Sequence, residues 1–223
     1  MIKESTLKFL RDLKKNNNRE WFEENRSKYE DAKKDFEQFV DELIKGLSKF
    51  DAPLKDLQSK DCVFRIYRDV RFSKNKDPYK TNFGASIKKG GRKSPYCGFY
   101  IQIEPQGEWG TFLAGGYWMP ESALLKKIRQ EIEYNHEEFI KIIENKTFKK
   151  HFALLEDHKL KKLPKGIPSD HPAGEYLKYT SFIASRTIDI KQLKEPKFIK
   201  ECEASYKAML PLINFLNRVN DDQ

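Results

Sequence analysis

Six cations stand within sixteen residues between Arg65 and Lys80, interleaved with Tyr67, Phe72 and Tyr79. Arginine forks grip phosphate or carboxylate oxygens two at a time, and lysine adds charge with less geometry. The hydroxyls of Ser73, Tyr79 and Thr81 can complete such a cradle. Mixed Arg/Tyr surfaces also suit single-stranded nucleic acid, whose bases stack on rings and guanidinium planes. Residues 63–72, VFRIYRDVRF, alternate as a strand does. That puts Arg65, Tyr67, Asp69 and Arg71 on one face, with Phe64, Ile66, Arg68, Val70 and Phe72 on the other. Asp69 is two residues from both Arg65 and Arg71 and can hold either. Arg68 falls among apolar neighbours, where its charge requires a buried carboxylate or a bound anion. The competing reading is bracing, because strand arginines also pair with acids on neighbouring strands and do nothing else.

Other constellations are sparser. Gly115-Gly116-Tyr117-Trp118 follows a predicted strand; the glycines allow close backbone approach and Trp118 offers a stacking wall. Arg129 lies on the helix beyond Pro120 and adds a cation to the same predicted pocket. Gly90 and Gly91 sit at a basic hairpin tip with Lys88, Lys89, Arg92 and Lys93, read as a mobile solvated loop or a nucleic-acid finger. His151 and His158, seven apart, suit one helix face, while His171 in Asp170-His171-Pro172 is the candidate for acid/base work or for bracing its loop. Cys62, Cys97 and Cys202 form no CxxC pair, and no HExxH is present, so neither a metal site nor a cofactor is indicated. Walker A, GxGxxG and GxSxG motifs are missing as well. Whether the chain is an enzyme stays open. Such chemistry is expected to be metal-independent, with arginines stabilising negative charge and His171 or a tyrosine moving a proton.

The elements that must position these residues follow from periodicity. Ser5 or Thr6 is the expected cap of a short helix carrying Leu7, Leu10 and Leu13. Asn18 caps a long second helix, with Phe22, Tyr29, Phe36 and Leu43 recurring every seven residues to about Leu47. Segments 63–72, 83–88, 98–104 and 111–117 read as an antiparallel meander. A helix opens after Pro120 and breaks near Asn135, and Thr147 caps another. Residues 159–175 form an extended, ordered loop, followed by a strand around 181–188 and a final helix from Pro196 with a kink at Pro211. The fold class is α+β in a single domain over 1–223: N-terminal helices, a central mainly antiparallel sheet, and C-terminal helices packing on it.

The cationic segment also carries a resemblance. Arg65-x-Tyr67-Arg68-Asp69-Val70-Arg71-Phe72-Ser73-Lys74-x-Lys76-x-Pro78-Tyr79-Lys80-Thr81 resembles the signature of a widespread uncharacterised bacterial family, a domain of unknown function also seen in fungi. Asn17-x-x-Glu20-Trp21-Phe22 with Tyr29 is similar to its N-terminal block, and Ala114-Gly115-Gly116-Tyr117-Trp118-x-Pro120 running to Ile128-Arg129 to its central one. Leu163-Pro164-Lys165-Gly166 with Asp170-His171-Pro172 resembles a third. Asn75 and Asp77 are small departures within the turn. The resemblance implies one cytoplasmic α+β domain and brings no activity, substrate or cofactor with it.

Composition sets the class of partner. With 43 basic against 34 acidic residues the formal charge is +9, which favours anionic small molecules, nucleic acid or an acidic protein. Hydrophobic residues make up 38% of the 223, including 16 Phe, enough for a buried core. No apolar stretch is long enough for a signal core or a membrane span, so a cytoplasmic address with no membrane partner is expected. Oligomeric state is unread. The functional expectation is an anionic-ligand site, for a phosphate ester or nucleic acid, built from Arg65, Tyr67, Arg68, Asp69, Arg71, Lys74, Tyr79 and Lys80, with Trp118, Arg129 and His171 as further members. The alternatives are a protein-interaction module with a basic face and a metal-independent enzyme acting on an anionic substrate.

Overall fold

The computed structural model describes residues 1–156 and 158–221. Helix α1 spans Glu4–Lys15 and buries Leu7, Phe9, Leu10 and Leu13. Its expected cap is replaced. Neither Ser5 nor Thr6 caps; the helix starts at Lys3, and the buried Asp35 carboxylate accepts from the Lys3 N–H at 2.9 Å and the Thr6 hydroxyl at 2.6 Å. A carboxylate brought to a helix N-terminus by tertiary packing satisfies orphan donors and the dipole together.

The expected long second helix is two. Asn18 caps α2 (Arg19–Glu24), its side chain accepting from the Trp21 N–H at 2.9 Å. Asn25 then interrupts the backbone before α3 (Arg26–Leu47). The seven-residue stripe survives the break, since Phe22, Tyr29, Phe36 and Leu43 are all buried. Helix α4 (Ser59–Cys62) is held from α3, where Asp41 accepts both the Ser59 N–H at 2.7 Å and its hydroxyl at 3.0 Å.

Five strands follow the expected meander with one addition: β1 (Phe83–Ile87), β2 (Gly98–Ile103), β3 (Phe112–Tyr117), β4 (Ala153–Leu154) and β5 (Phe182–Thr187). They form one antiparallel sheet in the order β1-β2-β3-β5-β4. Between β3 and β5 lie α5 (Ser122–Tyr134), α6 (His136–Ile143), α7 (Lys146–His151) and α8 (Gly174–Leu177), and α9 (Phe198–Asp221) follows β5. Thr147 does not cap α7; Asn145 does, accepting from the Thr147 and Phe148 N–H groups. The two-residue β4, paired Ala153 to Ser185 and Leu154 to Ala184, is too short to leave a period in the sequence.

Contacts divide the chain into two compact units. The first comprises 1–94, 100–113 and 187–204. In it α1 packs on α3, and Phe36 stacks on Phe83 and Phe39 on Phe198. The basic tip is docked rather than free. The Arg92 N–H bonds the Asp61 carbonyl and its guanidinium the Lys60 carbonyl, capping the end of α4. Gly91 holds φ +76° there.

The second unit comprises 95–99, 114–186 and the chain from Ser205. Phe139 meets Tyr176, Phe182 and Phe215 at its centre. Asn217 clamps the Cys97 peptide, accepting its N–H at 2.8 Å and donating to its carbonyl at 3.1 Å. Gly116 holds φ +117°, and a Cβ there would stand 1.9 Å from the Phe182 carbonyl oxygen, so the position admits glycine alone. Pro211 lies inside α9. Among the described residues no helix is long and apolar enough to cross a membrane.

Candidate functional site

Residues 64–80 leave the sheet and return as an irregular excursion; the expected strand over 63–72 is absent. Only the bridges Val63 to Ala85 and Tyr67 to Tyr79 remain of it. Between them the outgoing limb has three residues and the returning limb five, so the register slips and the ladder breaks. Beyond Tyr67 the ladder cannot resume. The Arg68 N–H reaches the Pro78 carbonyl at 2.9 Å, but Pro78 has no N–H to return the bond.

Two N-terminal residues hold the excursion down. The Asn17 side chain clamps the Tyr79 peptide, donating to its carbonyl at 2.9 Å and accepting its N–H at 3.1 Å. Phe22 stacks on the Tyr79 ring at 3.9 Å and 12°. Tyr29, Phe9 and Tyr67 complete the aromatic cluster. Burial first, then the Glu30 charge, pushes the Tyr29 hydroxyl up to about 12. Arg26, paired with Glu23 at 3.0 Å, also lies beside the Tyr67 hydroxyl. Asn17 and Phe22 are thus the supports of the site. In the sequence Asn17 and Phe22 stand in the Asn17-x-x-Glu20-Trp21-Phe22 block, and Phe22 on the seven-residue stripe as well, with nothing there to tie either to Tyr79.

The cations sort into three kinds. Arg68 is not on a buried apolar face: of that predicted face only Ile66 is buried, while Phe64 is 37% and Phe72 96% exposed. Its guanidinium bonds the Asp77 carbonyl at 3.1 Å and the Ser73 hydroxyl at 3.3 Å, with no carboxylate and no requirement for an anion. Arg71 forks onto Asp69 at 2.9 and 2.7 Å, which holds the Asp69 carboxyl below the usual range. Arg65 acts on Asp69 only at longer range. Lys76 is tied to the Val70 carbonyl at 3.1 Å. Arg65, Lys74 and Lys80 form the third kind: among the described residues none has a carboxylate partner. Lys80 is half-buried, its ammonium 5.4 Å from the Phe64 ring centroid, and burial with Arg65 beside it holds it below the usual lysine range.

Trp118, Arg129 and His171 belong to the second unit. Trp118 is 52% exposed and meets His158 edge-on at 4.7 Å. Arg129 donates to the Tyr179 carbonyl at 2.9 Å. His171 accepts the Ala173 N–H at Nδ1, 3.1 Å, bracing its own turn, and its ring meets His136 at 5.1 Å. His151 and His158 share no helix, because α7 ends at His151. His151 instead joins a network invisible in the sequence: Arg186 Nη1 donates to Ser205 Oγ at 3.0 Å and to His151 Nδ1 at 3.3 Å. Burial first, then Arg186 and Lys150, lowers the His151 pKa. Among the described residues no three His, Cys, Asp or Glu side chains are grouped to hold a metal ion.

No curated protein and no solved structure matches the chain. The conserved hypothetical protein family DUF2461 is matched over residues 5–215, a span that includes the Asn17 clamp, the excursion and the Trp118–Arg129 region alike. The chain belongs to that family.

Proposed function

We propose that the 64–80 excursion binds single-stranded nucleic acid, the anionic partner that its side chains suit best. One observation carries the reading: on one short segment Arg65, Lys74 and Lys80 lack acidic partners among the described residues while Phe64, Tyr67 and Phe72 are exposed. Unpaired cations follow a phosphate backbone and exposed rings stack bases without regard to sequence. Arg68 and Arg71 serve the excursion's shape, since both are spent on groups of their own turn. The surplus of basic residues assists encounter.

The test is fluorescence anisotropy with a labelled oligothymidylate over a range of salt. For single strands each phosphate contact contributes about 0.7 to the slope of log affinity on log salt, so Arg65→Ala with Lys80→Ala lowers that slope by about 1.4. Phe72→Ala weakens binding at all salt concentrations, because its contribution is stacking. Absence of binding at low salt, or an unchanged slope in the double variant, refutes the reading.

A further inference from the structure

Three consecutive residues of the second unit gather the Arg129 side chain and two main-chain groups from distant parts of its sequence. The Tyr179 carbonyl accepts from Arg129 Nη2 at 2.9 Å. Thr180 gives its N–H and its hydroxyl to the His158 carbonyl at 2.7 and 3.1 Å. Ser181 Oγ accepts the Met119 N–H at 2.9 Å. Successive Cα atoms are about 3.8 Å apart, so Arg129 and the Trp118–Met119 pair are attached within two residues of each other. Trp118 then lies over His158, whose carbonyl Thr180 holds.

The Arg129 guanidinium is under-used. It has five donors, of which one hydrogen bond engages Nη2. Its Nε is buried and has no acceptor. Among the described residues no carboxylate faces it; burial is the sole influence on its charge and disfavours it. A partly buried cation with one carbonyl for company is costly unless something anionic completes it. Beside it Trp118 and Met119 are 52% and 65% exposed, and Met119 holds φ 44°, in the left-handed region that a non-glycine residue adopts at a cost. That strain turns the chain between an exposed indole and Pro120. A brace alone accounts for the Tyr179 bond but for neither the orphaned Nε nor the exposed indole beside the strained Met119 backbone.

We propose that Arg129 and Trp118 form a second site, for a small aromatic anion whose carboxylate or phosphate lies on Arg129 and whose ring lies on Trp118. The site shares no residue with the 64–80 excursion and does not depend on the nucleic-acid reading.

The experiment titrates the full chain with phenyl phosphate and follows the Trp118 indole N–H by NMR, assigned with Trp118→Phe. Phenol and inorganic phosphate are run in parallel. Phenyl phosphate is expected to bind with a Kd of about 1 mM or tighter, at least about tenfold tighter than either fragment. Arg129→Gln weakens phenyl phosphate about tenfold or more and leaves phenol unchanged. The proposal is overturned if phenyl phosphate at about 20 mM leaves the Trp118 signal in place, or if Arg129→Gln binds it as the parent does. Should Arg129→Gln fail to fold, Trp118→Ala, at an exposed position, decides by calorimetry. A fall to the affinity of inorganic phosphate supports the site, and unchanged affinity for phenyl phosphate removes it.

Discussion

Asn17→Ala isolates the clamp on which the excursion depends. The side chain satisfies both main-chain polar groups of one residue, the Tyr79 N–H at 3.1 Å and its carbonyl at 2.9 Å, and Tyr79 itself is only 4% exposed. A hydrogen bond contributes about 0.5–1.5 kcal/mol net, and a buried group left without a partner costs about 1–3 kcal/mol. Two such bonds, partly replaceable by water at a half-buried position, give a loss of about 2–4 kcal/mol. For a chain of this length that is about 5–15 °C in Tm. Urea denaturation measures it, with an unchanged m value showing that the unfolded reference has not moved. Asn17→Asp is the internal control: it keeps an acceptor for the N–H but sets a carboxylate oxygen against the Tyr79 carbonyl. Its deficit at neutral pH equals or exceeds that of alanine and shrinks in acid, where the protonated acid can donate. An alanine variant within about 0.5 kcal/mol of the parent refutes the reasoning, since the clamp is then replaceable by solvent.

Further outcomes follow from other parts of the molecule. Gly116→Ala combines a positive φ with a backbone oxygen in the way, so a loss of at least about 3 kcal/mol is expected in thermal or urea unfolding. His151 has a lowered folded pKa, so its neutral form is the one that folds. Its contribution is complete above the unfolded value of about 6.5 and is lost as pH falls through the lowered folded value. Tm measured between pH 7.5 and 5 (roughly spanning that window) falls more steeply in the parent than in His151→Gln. Asp69→Asn leaves Tm unchanged, because its fork with Arg71 is exposed to solvent, but it releases Arg71 and raises oligonucleotide affinity.

Much of the fold was readable because burial is periodic. The stripe Phe22, Tyr29, Phe36 and Leu43 predicts the buried face of α2 and α3, and the alternation in 83–88, 98–104 and 111–117 predicts three strands, found over 83–87, 98–103 and 112–117. The same alternation misled at 63–72. Period shows how side chains divide between two faces, but not that either face meets a core, and what ends this ladder is Pro78 on the opposite limb. Arg68 is held by the Asp77 carbonyl, a group every residue possesses, so no residue type advertises it. The caps failed similarly at α1, where the carboxylate comes from Asp35 on another helix. The cluster itself was legible, as six cations in a short run; its division into braces and free charges was not, for that depends on distances within a turn.

The clamp between Asn17 and Tyr79 closes 62 residues of chain, and that separation has a consequence for how the protein is made. Helices α1 and α3 lie close in sequence and can pair early, whereas a long loop must close before Tyr79 reaches Phe22. Tyr79 leaves the ribosome fifty residues after Tyr29, about 3–10 s later at ordinary rates of synthesis. Until then Phe22 lacks the ring that stacks on it at 3.9 Å in the fold. For that interval the apolar face that Tyr79 covers is exposed, a surface of the kind that chaperones bind.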